Sequence, residues 1–102
     1  MNGYVYRIYT EDKDNIGLIA EILERYGYPE FTAYRNQSGY WKGTAEPSLI
    51  VEVIETDSPN DGNSIDFNWI TAMAEEIGRA GGQAEVLVTQ QKLDQVAFVA
   101  TS

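Results

Sequence analysis

The chain of 102 residues contains no cysteine and no histidine, only 3 prolines, and few cations: 7 Lys+Arg stand against 16 Asp+Glu, for a net charge of −9. Each shortage excludes something. Without Cys or His there is no disulfide framework, no thiol nucleophile, no imidazole base and no zinc site of the common Cys/His kind. No metal and no cofactor are expected. No run approaches the roughly 20 apolar residues of a membrane-spanning helix, and Met1-Asn2-Gly3-Tyr4 does not open a signal peptide. A soluble, cytoplasmic protein is the expectation. So acidic a surface should repel long nucleic acids, whose binding is dominated by phosphate contacts. What is present is 43% hydrophobic and 12% aromatic residues, too much apolar surface for a disordered acidic tail. The length fits one domain spanning residues 1–102.

Aromatic and β-branched residues from Tyr4 to Thr10 predict a first strand. Ile16, Ile19, Ala20, Leu23 and Tyr26 recur at helical spacing, with acids expected in the first turn, Arg25 in the last and Gly27 just beyond. A short strand, Phe31 to Arg35, is followed by a polar loop from Asn36 to Pro47. Leu49 to Ile54 is the clearest strand. Asp57 to Asn63 reads as a turn cluster, and Asn63 or Ser64 as the cap of a second helix carrying Phe67, Ile70, Ala74 and Ile77. Gly81-Gly82 stops that helix, Ala84 to Thr89 forms a fourth strand, and Val96 to Ala100 can add a short fifth. The order is that of a ferredoxin-like βαββαβ sandwich of the α+β class, a four-stranded antiparallel sheet with both helices on one face.

Such a sheet should alternate apolar and polar residues, because helices cover only one side. Here both sides are apolar: Leu49, Val51 and Val53 oppose Ile50 and Ile54; Tyr6 and Ile8 oppose Val5 and Tyr9; Val86 and Val88 oppose Leu87. Either the C-terminal segment or another subunit must cover the second side, and a homo-oligomer is the favoured expectation.

The segment Gly39-Tyr40-Trp41-Lys42-Gly43 joins two aromatics and a cation between glycines. Tyr40 or Trp41 offers a face for a nucleobase, Lys42 a charge for phosphate, and Gly43 close backbone approach. An equal alternative is that the aromatics only pack. Arg35 and Arg7 could join Lys42 in one site for a small anionic ligand, with Lys92 reaching a subunit cleft from the turn after the fourth strand. Glu52, inside an apolar strand, is either a buried acid at a cleft or an exposed one. Asp57, Asp61, Asn63 and Asp66 crowd one turn, but Pro59 and the missing twelfth-position Glu break the calcium-loop pattern.

The element order, with Gly39 to Gly43, Glu46-Pro47-Ser48 and the apolar strand running into Glu55-Thr56, resembles the CutA and PII-like group of small trimeric ferredoxin-like proteins. That resemblance covers the topology of most of the chain and residues 39–56 in sequence. It implies a trimer with free sheet faces packed inward and, as in PII-like members, nucleotides in clefts between subunits. The chain departs from PII proteins in a shorter intervening loop without a basic nucleotide-binding segment, and from CutA in having no His or Cys. In general character it also resembles small phage and prophage reading frames, which implies an anti-defence role such as sequestering a nucleotide signal. The leading expectation is a non-enzymatic nucleotide-binding protein. The alternatives are an acidic inhibitor that mimics nucleic-acid charge on a partner's basic surface, and a small phosphodiesterase-like enzyme using Lys42 or Tyr40.

Overall fold

The computed structural model describes residues 2–56 and 67–101, with the side chain of Trp41 outside the description. The expected turn cluster at Asp57 to Asn63, the caps Asn63 and Ser64, and Asp66 lie outside the described residues. The elements are β1 (Gly3–Glu11), α1 (Ile16–Arg25), β2 (Thr32–Trp41), β3 (Thr44–Thr56), α2 (Phe67–Ala80) and β4 (Leu87–Leu93). They form one antiparallel sheet in the order β2-β3-β1-β4. No helix among the described residues is long and apolar enough to cross a membrane.

Period-2 alternation sends Tyr6 and Ile8 of β1 and Leu49, Val51 and Val53 of β3 beneath the helices. There they meet Ile19, Ile22 and Leu23 of α1 and Ile70, Met73, Ala74 and Ile77 of α2. This is the α+β sandwich expected from the residue pattern. α1 ends in a left-handed Gly27 with φ of 93°, and the Tyr28 N–H donates to the Leu23 carbonyl at 2.8 Å, satisfying a carbonyl at the helix end.

Four local expectations are corrected. The polar loop from Asn36 to Pro47 is not a loop: β2 and β3 continue through it and turn over only Lys42 and Gly43. Both turn residues have positive φ, 50° and 81°, the geometry of a two-residue hairpin whose twist matches its strands. The fourth strand runs later, from Leu87 to Leu93, so Lys92 lies within β4 rather than after it. Residues 95–100 form no fifth strand; Val96 instead lies against Gly3, where an added Cβ would stand 3.0 Å from its Cγ2. Finally, the first turn of α1 holds no acid. Asp12 and Asp14 precede the helix and serve a different purpose.

On the side of the sheet away from the helices, the strand register sets Tyr34, Ile50, Tyr9 and Leu87 in one row across all four strands. The next row is Thr32, Glu52, Arg7 and Thr89. Leu87 is 60% and Ile54 54% exposed, so the apolar second face expected from the sequence is present, and Val96 of the C-terminal segment approaches its Gly3 end.

Candidate functional site

A cleft of about 670 Å3 opens where three pieces of chain meet. The end of β1 supplies Tyr9, Thr10 and Glu11; the hairpin supplies Gly39, Tyr40, Glu46, Pro47 and Ser48; residues 82–87 close the third side. The volume suits a drug-sized or nucleoside-sized molecule.

The walls stand where they do for local reasons. β1 pairs with β3 as far as Glu11 opposite Ser48. Beyond that point the pairs Ser38–Pro47, Gly39–Glu46, Tyr40–Ala45 and Trp41–Thr44 form a two-stranded ribbon that overhangs the end of β1. Gly39 permits a close approach to Ser48, whose Cβ lies 3.2 Å from where a glycine side chain would begin. The opposite wall is tied to β1 by Gln83, whose side-chain oxygen accepts from the Glu11 N–H at 3.2 Å and whose amide donates to the Thr10 hydroxyl. Thr10 is itself buried.

Chemically the cleft combines aromatic surface with carboxylates. Tyr40 is 75% exposed, which leaves its ring free to stack on a planar group. The charged residues lining the cleft are Glu11, Glu46 and Glu85, and Lys13 approaches Glu11 at 3.1 Å.

Of the residues singled out in the sequence, Tyr40 lines this cleft. Trp41 ends β2, and Lys42 and Gly43 form the hairpin tip beyond it. Arg7 and Glu52 lie together on the open sheet face, Arg7 Nε donating to Glu52 Oε2 at 2.8 Å. Glu52 also accepts a long hydrogen bond of 3.4 Å from the Tyr34 hydroxyl, and Arg7 Nη1 donates to Gln91 Oε1 at 3.3 Å. The Glu52 side chain is only 14% exposed, so it is a covered acid with a cation, as burial within an apolar strand requires. Arg35 turns to Asp12 and Asp14 at 3.0 Å each. Lys92 sits opposite Tyr4. Sequence reasoning missed Glu11, Gln83 and Glu85, because only the crossing of β1, the ribbon and the α2–β4 connection brings residues so far apart in sequence together. The one local signal was Gly81-Gly82, which announces a turn but not what it faces.

No family model matches the chain, and no curated protein matches it. Solved structures do. A phage SAM lyase in complex with S-methyl-5'-thioadenosine superposes with a TM-score of 0.69 at 20% identity, over 88% of this chain and 81% of the lyase. CPII, a nitrogen regulatory PII-like protein from Thiomonas intermedia K12 bound to ADP, AMP and bicarbonate, superposes at 0.64 and 11% identity, over 97% and 98% of the two chains. The GlnK–ATP complex of B. subtilis gives 0.62 at 14% identity, over 90% and 82%. Sheet order, helix placement and these superpositions agree that the chain has the ferredoxin-like fold that these proteins share.

Proposed function

We propose that the protein binds a nucleotide or nucleoside-derived small molecule in the cleft between the β2–β3 ribbon and the α2–β4 connection. The observation that carries this reading is the cleft itself, of nucleoside size and with the exposed Tyr40 ring on one wall. It is supported by the ligands of proteins sharing the fold, which include S-methyl-5'-thioadenosine, ADP and ATP. Titration with ATP, ADP, AMP, cyclic nucleotides, S-methyl-5'-thioadenosine and S-adenosylmethionine, followed by melting temperature, tests it. A ligand at a hundred times its dissociation constant stabilises by about 2.7 kcal/mol, a readily measured rise; a flat response across the panel would overturn the reading. Sequestration of a nucleotide signal would serve a phage against host defence, and the cyclic nucleotides of the panel address that use.

We further read the open sheet face as the contact between copies in a homo-oligomer, a trimer by the resemblance noted above. The row Tyr34, Ile50, Tyr9 and Leu87 supports it. Sedimentation should show a single species heavier than 11.4 kDa, which Ile50→Lys dissociates.

A second reading is favoured by the lining of Glu11, Glu46 and Glu85. Even with Glu11 paired to Lys13, Glu46 and Glu85 oppose a polyphosphate and attract a cation, so the cleft suits a sulfonium nucleoside better than a triphosphate. Turnover of S-adenosylmethionine to S-methyl-5'-thioadenosine, assayed chromatographically, decides between binding and catalysis. Absence of product with retained binding leaves the first reading standing alone.

A further inference from the structure

Among the described residues no third strand pairs with the ribbon beyond Ser48, and two strands alone are at best marginally stable in water. Something must hold it over the cleft. At the point of departure the β2–β3 register slips between Tyr34 and Gln37, and Asn36 takes a positive φ of 61°, a bulge that re-aims the strand. Arg35 lies within this bulge.

We propose that Arg35 is a positioning residue whose clamp on Asp12 and Asp14 sets the aperture of the cleft. Its Nε donates to Asp12 Oδ2 at 3.0 Å, and its Nη2 donates to Asp12 Oδ1 at 3.2 Å and to Asp14 Oδ1 at 3.0 Å. This two-pronged grip fixes direction as well as distance, as a lysine could not. Asp12 is held in turn: the Asp14 N–H donates to Asp12 Oδ1 at 2.9 Å, and the Asp12 side chain is only 12% exposed. The Asp12 main chain reaches the other strand of the ribbon, its N–H donating to the Pro47 carbonyl at 2.9 Å. One residue therefore grips both strands, β2 through its carboxylate and β3 through its amide. The facing wall is referenced to the two residues just before it, Thr10 and Glu11, through Gln83. The separation of the two walls is thus set over three consecutive residues. The Arg35 guanidinium is engaged by acids and acts on a ligand through the ribbon.

The inference rests on the cleft being the ligand site, but its first readout does not. In the full-length protein, Arg35→Gln and Asp12→Asn should speed hydrogen exchange of amides 38–46 roughly tenfold while the β1–β3 core amides stay at their wild-type rates. The double exchange Arg35→Asp with Asp12→Arg should recover part of the protection. The conservative Arg35→Lys, which keeps the charge, should give an intermediate rate and serves if Arg35→Gln does not fold. Ribbon exchange within twofold of wild type in the folded variants would overturn the clamp. With S-methyl-5'-thioadenosine and ADP as probes, Arg35→Gln should weaken binding through a faster off-rate. If neither probe binds the wild type, the ligand reading is decided by the rest of the panel, while exchange still decides the clamp.

Discussion

Glu55 and Tyr28 are the side chains whose ionisation the fold most visibly resists. The Tyr28 hydroxyl donates to Glu55 Oε2 at 2.9 Å. Burial pushes the Glu55 carboxyl above its ordinary range, only partly opposed by the Tyr28 hydrogen bond; burial and the adjacent carboxylate push the Tyr28 phenol up as well. A carboxyl raised in the folded state favours folding below its unfolded pKa and loses that contribution as pH rises through the folded value. Glu55→Gln, which keeps an acceptor for Tyr28, should therefore melt higher than wild type at pH 7, with the difference closing below about pH 4, where both states are protonated. Asp12 is the opposite case. The Arg35 hydrogen bonds hold it below its usual value of 3.8, so its contribution is present above that value and is lost only in stronger acid. Protection of the ribbon amides should survive from pH 7 to pH 4 and fail only in acid stronger than the usual value of 3.8. Gly3 illustrates a constraint of space: a Cβ would sit 2.7 Å from the Glu55 carbonyl oxygen and 3.0 Å from Val96. Gly3→Ala should cost about 1–3 kcal/mol in denaturant unfolding, as overpacking against fixed backbone does.

At the scale of elements, the hairpin is where residue patterns and the fold part company. Asn36-Gln37-Ser38-Gly39 has low strand propensity, and much of β2 is exposed, so no alternation betrays it. It is a strand because β3 offers it a ladder, a long-range fact. One clue was available: Lys42-Gly43 stands between Trp41 and Thr44 as a two-residue turn between strand formers. With φ of 81° at Gly43, Gly43→Ala should destabilise by about 1–2 kcal/mol, the cost of a left-handed non-glycine residue. Lys42→Asn keeps the turn and removes the charge, which makes it the cleaner test of whether Lys42 meets an anionic ligand. The buried faces of the helices were legible, because their apolar spacing states directly which side is buried. Leu23, wholly enclosed between α1 and the sheet, should cost about 2–5 kcal/mol when cut to Ala.

Across the whole molecule the seven cations are dispersed. Arg7, Lys13, Arg25, Arg35 and Arg79 each meet a carboxylate, on Glu52, Glu11, Glu76, Asp12 with Asp14, and Glu75. The remaining acids repel one another, and salt should relieve that repulsion. Raising the ionic strength from about 0.02 to 0.5 M should raise the melting temperature, the reverse of what a protein held by surface pairs would show. Composition and periodicity by themselves determined the absence of Cys and His chemistry, the two amphipathic helices, the βαββαβ order and the apolar character of both sheet faces. These are local or summed properties that need no knowledge of which residues meet. Only the tertiary structure decided that the polar stretch before Pro47 is a ribbon, that Arg35 answers to Asp12, and that the cleft is walled by Glu11, Glu46, Glu85 and Gln83. Those are pairings between residues tens of positions apart, and a one-dimensional pattern holds no record of them until the sheet register brings them face to face.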